Sequence, residues 1–146
     1  MARRQYTTLV LDKFLFGIEI EGVQEVIRSQ ELTRVPLAPP VVEGLINLRG
    51  QIVTAIDLRR RLQLAERPPE LRPMNVVIPS PGGAVSLLVD RVGEVVEVDD
   101  DSFEPPPETL RGAARVMIRG AHKLPDALLL ILNVDRVLNV SDETVW

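Results

Sequence analysis

The sequence predicts a mainly β fold built from two similar subdomains, with short helices between strands. Three observations support this prediction. Apolar and polar residues alternate through much of the chain, proline-rich segments interrupt the alternation, and two patterns of residue types recur further along the sequence. At 146 residues the chain has the length of a single domain and can bury a hydrophobic core.

The chain begins with a predicted β-hairpin. Residues 6–10 alternate in polarity, and the alternation resumes over residues 14–18 after the polar pair Asp12-Lys13. Ile20, Val23 and Ile27 then have helical spacing, which predicts a short helical turn that buries them. A further strand is expected over residues 32–35 before the following prolines end it.

The next segment predicts a second hairpin followed by a helix. Strands over residues 41–47 and 51–56 are joined by the tight turn Leu48-Arg49-Gly50. Asp57 then precedes two leucines that are four positions apart, an arrangement typical of a helix N-cap. The charged segment 65–73 contains three prolines and is the best candidate for a linker.

Two patterns in the first part recur after this linker. The order of apolar and acidic residues in 20–27 returns 69 positions later in 89–96. The apolar strand that leads into Asp57 returns 76 positions later as a strand that leads into Asn133. The two similar offsets indicate a duplication. We therefore expect subdomains over about residues 14–64 and 74–132 within one domain over 1–146, with the termini completing them.

Composition excludes several classes of function. A net charge of −4 argues against nucleic-acid binding, and the longest apolar run, residues 127–132, is too short to insert directly into a membrane. The start of the chain lacks the pattern of a secretory signal, and cysteine is absent, so we expect a cytoplasmic protein. The arginines of residues 59–61 are interpreted as a solvated helix face, and the aspartates of residues 99–101 as a solvated loop.

The sequence contains no recognisable catalytic or metal-binding motif. His122 is the only histidine, and its position between Gly120 and Pro125 predicts an exposed turn residue rather than a catalytic one. Phosphate-binding loops and nucleophile elbows are also missing. We therefore expect no enzymatic activity, no cofactor and no metal.

The segment 44–59 resembles the most diagnostic part of the CheW family. Its sequence is Gly-Leu-Ile-Asn-Leu-Arg-Gly-Gln-Ile-Val-Thr-Ala-Ile-Asp-Leu-Arg. Residues 16–28, 76–92 and 128–138 fit the rest of the family pattern, so the resemblance covers nearly the whole chain. It implies two SH3-like five-stranded β-barrels packed together through a hydrophobic interface. It also implies a non-enzymatic coupling protein that joins the cytoplasmic tip of chemoreceptors to the regulatory domain of the histidine kinase CheA, and so associates with membrane receptor arrays through its partners.

The sequence departs from the family pattern at three places. Thr54 replaces a common proline, Asn133 replaces a common aspartate, and the acidic, proline-rich segment 99–107 is individual. These departures leave open which receptor and which kinase the chain serves.

The resemblance also assigns site residues. The receptor-binding groove between the barrels would use six residues: Val23, Glu25, Gly44, Arg49, Val76 and Val77. We place the kinase-binding surface on a strand and loop where an exposed barrel edge with apolar residues favours docking by another barrel, and it would use Arg28, Leu32, Val35 and Leu37. Within the groove, the resemblance favours an ion pair between Arg49 and Glu25. Because adjacent strand residues point to opposite faces, one of the two neighbouring valines is expected to be core and the other exposed.

Other functions remain open at the level of sequence. The same docking surfaces would suit an adaptor in a motility or developmental pathway. A small-molecule sensor would use the crevice between the barrels as a pocket, although no cluster of polar residues marks one in the sequence.

Overall fold

The computed structural model describes residues 2–140, so the ends of the expected domain, residue 1 and residues 141–146, lie outside the described part. Strands account for most of the regular structure. They are β1 Arg3–Leu11, β2 Phe14–Glu19, β3 Glu25–Ile27, β4 Val42–Leu48, β5 Gln51–Asp57, β6 Met74–Ile78, β7 Val85–Val89, β8 Arg91–Asp99, β9 Phe103–Glu104, β10 Ile118–Lys123 and β11 Leu128–Leu132. Three short helices complete the fold: α1 Leu58–Arg61, α2 Gly112–Met117 and α3 Val134–Leu138.

The strands form two sheets with the same topology. The five-stranded sheet has the order β3-β6-β7-β5-β4, and we call it the first barrel. The six-stranded sheet has the order β8-β1-β2-β11-β10-β9, and we call it the second barrel. In the first barrel, the hairpin β4-β5 joins the hairpin β6-β7 through parallel pairing of β5 with β7, and β6 then pairs with the edge strand β3. In the second barrel, the hairpin β10-β11 joins the hairpin β1-β2 through parallel pairing of β11 with β2, and β1 then pairs with the edge strand β8. The expected fold class is confirmed.

The matching topology agrees with the two sequence patterns that indicate a duplication. Glu25 in β3 and Glu94 in β8, 69 positions apart, occupy the equivalent edge strands of the two barrels. Asp57 and Asn133, 76 positions apart, both cap the short helix that follows the equivalent strand. Both repeated patterns therefore mark equivalent places in the two sheets.

The linker expected over residues 65–73 does not separate the two barrels. The hairpin of β6 and β7 follows this segment in the chain but belongs to the first barrel. The hairpin of β1 and β2 belongs instead to the second barrel, where β2 pairs in parallel with β11. The first barrel is thus one continuous segment from Glu25 to Val89, inserted between the two parts of the second.

The largest hydrophobic cluster of the described residues lies between the barrels. It combines side chains of the first barrel with side chains of the second and with both α1 and the residues around α3. Two smaller clusters fill the interiors of the individual barrels. The shared interface implied by the family resemblance is therefore confirmed, and it holds the two sheets together by burial of apolar surface.

Several local predictions need correction. The helical turn expected over residues 20–27 is limited to a 3₁₀ turn at Ile20–Gly22, after which β3 begins. The strand expected over residues 32–35 is reduced to a single bridge between Thr33 and Leu45. The N-cap was predicted correctly, since the Asp57 carboxylate accepts the Arg59 backbone N–H at 3.0 Å.

The arginines of α1 do not form a solvated face. Arg59 and Arg61 are buried, and only Arg60 is partly exposed. Because α1 is a single turn packed beside both barrels, its short length leaves no separate outer face. In the acidic loop, Asp99 caps the 3₁₀ turn Asp100–Ser102. Within residues 2–140, no helix has the length and apolar character needed to cross a membrane.

Candidate functional site

The ion pair expected between Glu25 and Arg49 is present on the first barrel. Glu25 lies at the start of the edge strand β3, and its carboxylate accepts a hydrogen bond from the Arg49 guanidinium. This bond raises the pKa of Arg49 because the carboxylate favours the charged guanidinium. Glu25 is mostly buried, whereas Arg49 remains largely exposed. The pair therefore presents a cationic group that a partner can reach.

The β4-β5 turn fixes the position of Arg49. Arg49 has a φ of 52° and Gly50 a φ of 88°, so both central residues are left-handed, as in a tight hairpin turn. The Asn47 side-chain oxygen accepts the Gly50 N–H at 2.9 Å and stabilises this turn. Non-glycine residues rarely adopt this left-handed conformation, and here the conformation directs the Arg49 side chain toward β3.

Gly44 is buried, and its role differs from the one expected. A β-carbon added at this position would lie 2.6 Å from the Thr33 carbonyl oxygen. The backbone that approaches Gly44 is therefore that of the protein's own segment around Thr33, which bridges to Leu45. In the structure Gly44 thus allows the segment 32–35 to pack on the first barrel.

The exposed side chain expected at Val76 or Val77 is absent. Both residues are fully buried, Val76 in the shared core and Val77 in the interior of the first barrel. The physical reason is that β6 is an inner strand with a hydrophobic cluster on each face. The prediction that one of them is exposed is wrong. Val23 is only partly buried and packs against the shared core beside them.

The four residues assigned to kinase binding lie along one irregular segment. Leu32 is partly buried against the first barrel, while Arg28, Val35 and Leu37 are exposed. Leu37 is the extreme case, with 97% of its surface exposed and a φ of 66°. Bulky residues rarely combine full exposure with a left-handed backbone, so this loop displays an apolar side chain that the free protein does not bury.

Sequence reasoning missed two features of the first barrel. Ile52, in the strand after the Arg49 turn, is 65% exposed although it lies in an apolar run. Arg59 and Asp90 form a buried ion pair that joins two segments of the family pattern. The signal available in the sequence was that both residues belong to segments that carry the resemblance.

His122 is not the exposed turn residue that the sequence predicted. It lies in β10 and is almost completely buried, with its Nδ1 atom 2.8 Å from the Ser102 hydroxyl. Its ring packs against Tyr6 and Phe103 at centroid distances of 5.8 and 5.3 Å. Burial lowers the pKa of His122, because the surroundings disfavour the charged imidazolium.

A cleft opens between the two barrels. Its volume is about 420 Å³, and its lining combines apolar and charged side chains. Ile78 and Pro79 contribute from the first barrel, whereas Ile18 and Arg119 contribute from the second. Gly22 also lines the cleft, so the cleft lies next in sequence to Val23, one of the residues assigned to receptor binding.

Comparison with known proteins agrees with this architecture. The chain is 28% identical over 139 residues to the chemotaxis protein CheW of Treponema pallidum, covering 92% of this chain and 82% of that one. It is 32% identical over 124 residues to the chemotaxis protein CheW of Bacillus subtilis, covering 85% and 80% of the two chains. The crystal structure of the scaffolding protein TtCheW from Thermoanaerobacter tengcongensis matches with a TM-score of 0.85 and 29% identity, over 99% of this chain and 98% of that one.

The family model for the CheW-like domain matches residues 5–142, which include both barrels and the turn that carries Arg49. The chain therefore belongs to the CheW-like domain family of chemotaxis scaffold proteins.

Proposed function

We propose that this protein couples the cytoplasmic tips of chemoreceptors to the regulatory domain of the histidine kinase CheA. The observation that carries the proposal is the Glu25–Arg49 pair, which occupies positions that the family resemblance assigns to receptor binding. Membership of a scaffold family supports a role in assembly, in the cytoplasm and at receptor arrays reached through the partners.

The receptor surface would centre on this pair. Arg49 offers a largely exposed guanidinium to a carboxylate of the receptor, and Glu25 keeps that guanidinium oriented. Val23 adds apolar surface at the border of the cleft, suited to the apolar stripe of a receptor helix. Gly44, Val76 and Val77 would act indirectly, since all three are buried and shape the sheet behind the pair.

The kinase surface would be the segment from Arg28 to Leu37. It runs along the outer edge of β4, to which it is tied by the bridge between Thr33 and Leu45. Val35 and Leu37 expose apolar side chains, and Arg28 adds a positive charge nearby in sequence. Such an edge favours docking by another β-barrel through an apolar centre with a polar rim.

The proposed role requires no chemistry by the protein itself. The one histidine, His122, is buried with its Nδ1 atom beside Ser102 and does not face the cleft that borders the receptor site. A purified sample should therefore give no turnover with ATP, phosphopeptide or ester substrates. Activity that persists through purification and disappears with His122→Ala would refute this part of the proposal.

Reconstitution tests the coupling role directly. The protein is mixed with CheA and with a cytoplasmic receptor fragment from the same organism, and complexes are separated by size-exclusion chromatography. We expect a complex that contains all three proteins, and Arg49→Ala should remove the receptor fragment while leaving the kinase bound. Failure to bind any CheA-like kinase of that genome would refute the proposal. Binding only to a kinase of a motility or developmental pathway would assign the same docking surfaces to that pathway.

A further inference from the structure

Two arginines of α1 reach from the first barrel toward the second. The Arg59 guanidinium binds both carboxylate oxygens of Asp90, with its Nε atom 2.9 Å from Oδ1. The side chains of this pair are only 6% and 8% exposed. The Nη1 atom of Arg59 donates to the Ala65 and Glu66 carbonyl oxygens at 3.1 and 3.2 Å, so all three nitrogens of the guanidinium form hydrogen bonds.

Asp90 connects this guanidinium to the second barrel. It lies between β7 and β8, where the chain passes from the first barrel to the second. Its Oδ2 atom accepts the Asp12 N–H at 2.7 Å, and its own N–H donates to the Val10 carbonyl at 3.1 Å. Both partners belong to the β1-β2 hairpin. Burial alone would raise the pKa of Asp90, but the hydrogen bonds from Arg59 and the Asp12 N–H outweigh it and lower that pKa, so the pair is ionic.

Arg61 makes a second connection across the interface. Its Nε atom donates to the Val137 carbonyl at 2.8 Å, and its Nη2 atom donates to the carbonyls of Arg136 and Asn139 at 2.7 and 3.2 Å. These carbonyls end α3, which follows the last strand of the second barrel. The beginning of the same helix, at Val134 and Asp135, lines the cleft between the barrels.

The Arg59–Asp90 pair and the cleft lie at opposite ends of the barrel interface, whereas Arg61 holds the end of α3, the helix whose beginning lines the cleft. In β6, Met74 pairs with Val89, the neighbour of Asp90, whereas Ile78 at the other end lines the cleft. We propose that Arg59 and Arg61 are positioning residues, which hold the two barrels at a fixed angle and thereby set the width of the cleft between them.

The inference goes beyond the proposed function and does not depend on it. It concerns the relative orientation of the two barrels, which can be measured without any partner. If the coupling role is also correct, the same arginines determine how closely a receptor helix can fit between the barrels.

Spin-label distances provide the test. The chain has no native cysteine, so labels can be attached to Gly82→Cys, in the β6-β7 turn of the first barrel that follows the cleft residues Ile78 and Pro79, and to Arg119→Cys, which lines the cleft from the second barrel. Gly82 has open space around its missing side chain, and Arg119 is exposed. Double electron–electron resonance should give one narrow distance distribution in the otherwise unchanged protein.

Two changes should broaden that distribution at least twofold. Arg61→Met removes the contacts with α3 but keeps an apolar stem. The double change Arg59→Met with Asp90→Leu replaces the buried ion pair by apolar side chains, a kind of replacement that often leaves stability unchanged or increased. The double change therefore yields a folded protein without the ionic connection even if Arg59→Met alone unfolds. If Arg61→Met reduces folding by circular dichroism, Arg61→Lys gives a milder loss of the same contacts.

Matched controls distinguish a change in the relative orientation of the two barrels from a loss of rigidity within each barrel. Arg60→Met changes the neighbouring arginine, whose contacts with Glu43, Asp57 and Glu66 stay within the first barrel and its following loop, and it should leave the cross-cleft distance unchanged. A label pair at Gln51→Cys and Gly82→Cys, both in the first barrel, should also be unchanged in every variant. The inference would be overturned if the folded Arg61 and Arg59–Asp90 variants gave cross-cleft distance distributions as narrow as that of the labelled protein without these changes. Equal broadening of the pair within one barrel would overturn it as well.

Discussion

Replacing Leu37 with glycine should stabilise the free protein and at the same time weaken its binding to the kinase. Leu37 is 97% exposed, so truncation removes almost no packing from the free protein. Its φ of 66° places a bulky residue in the left-handed region, which glycine occupies without strain. The two effects therefore have opposite signs, which a purely structural role for Leu37 would not produce.

The size of each effect follows from these values. Release of left-handed strain is worth roughly 1–2 kcal/mol, and the greater chain entropy of glycine opposes it by about 0.5–1 kcal/mol. The free protein should thus gain up to about 1.5 kcal/mol, and each kcal/mol corresponds to roughly 2–4 °C in melting temperature. Because nearly the whole side chain is available for burial, its loss from a kinase interface should reduce affinity by about 10- to 150-fold, equivalent to roughly 1.5–3 kcal/mol.

Thermal unfolding and calorimetric titration against the CheA regulatory domain measure the two quantities. Leu37→Asn is a suitable control, because asparagine also tolerates the left-handed region but offers little apolar surface. It should behave like the glycine variant in both assays. Unchanged kinase affinity in both variants would refute the assignment of Leu37 to the interface, and a lower melting temperature in both would refute the strain argument.

Three further predictions concern the receptor site and the core. Arg49→Ala and Glu25→Ala should each weaken binding of the receptor fragment, and the double change should weaken it far less than the two losses combined, because the residues share one interaction. Gly44→Ala should lower stability by about 1–3 kcal/mol in denaturant unfolding, since the added carbon would lie 2.6 Å from the Thr33 carbonyl oxygen. Stability should also fall as the pH drops below about 6.5, because burial lowers the pKa of His122 and the unfolded chain takes up the proton more readily.

Each of these has a control and a contrary outcome. Strictly additive losses in the Arg49 and Glu25 cycle would exclude the pair as a functional unit. Gly82→Ala, at an open position, should be nearly neutral, and an equal loss there would remove the steric explanation for Gly44. His122→Phe should flatten the stability profile between pH 7.5 and 5; an unchanged slope would assign the effect to other groups.

The sequence was sufficient to predict features that depend on local patterns. The β4-β5 turn and the Asp57 cap were predicted from the order of residue types alone, and the structure confirms them. The two repeated patterns lie at equivalent places in the two sheets. The Glu25–Arg49 pair was expected from the family resemblance. It joins residues that are distant in the sequence, and local patterns alone would not have paired them.

Two of the errors come from contacts between segments that are distant in the sequence, and a third comes from a strand that was mistaken for a turn. Both valines of β6 are buried because a core lies on each face of that strand, and strand alternation cannot reveal a second core. Arg59 appeared to be a solvated charge because its partner, Asp90, comes from a distant turn. His122 appeared exposed because its flanking glycine and proline suggested a turn, although it lies in β10.

The insertion of the first barrel within the second has a consequence for synthesis. All strands of the first barrel leave the ribosome in one uninterrupted stretch, so this barrel can close while the chain is still growing. The hairpin of β1 and β2 emerges earlier, yet its parallel partner β11 is made only after the whole first barrel. We expect the β2 edge of this hairpin to remain unpaired until β11 has been synthesised and can pair with it.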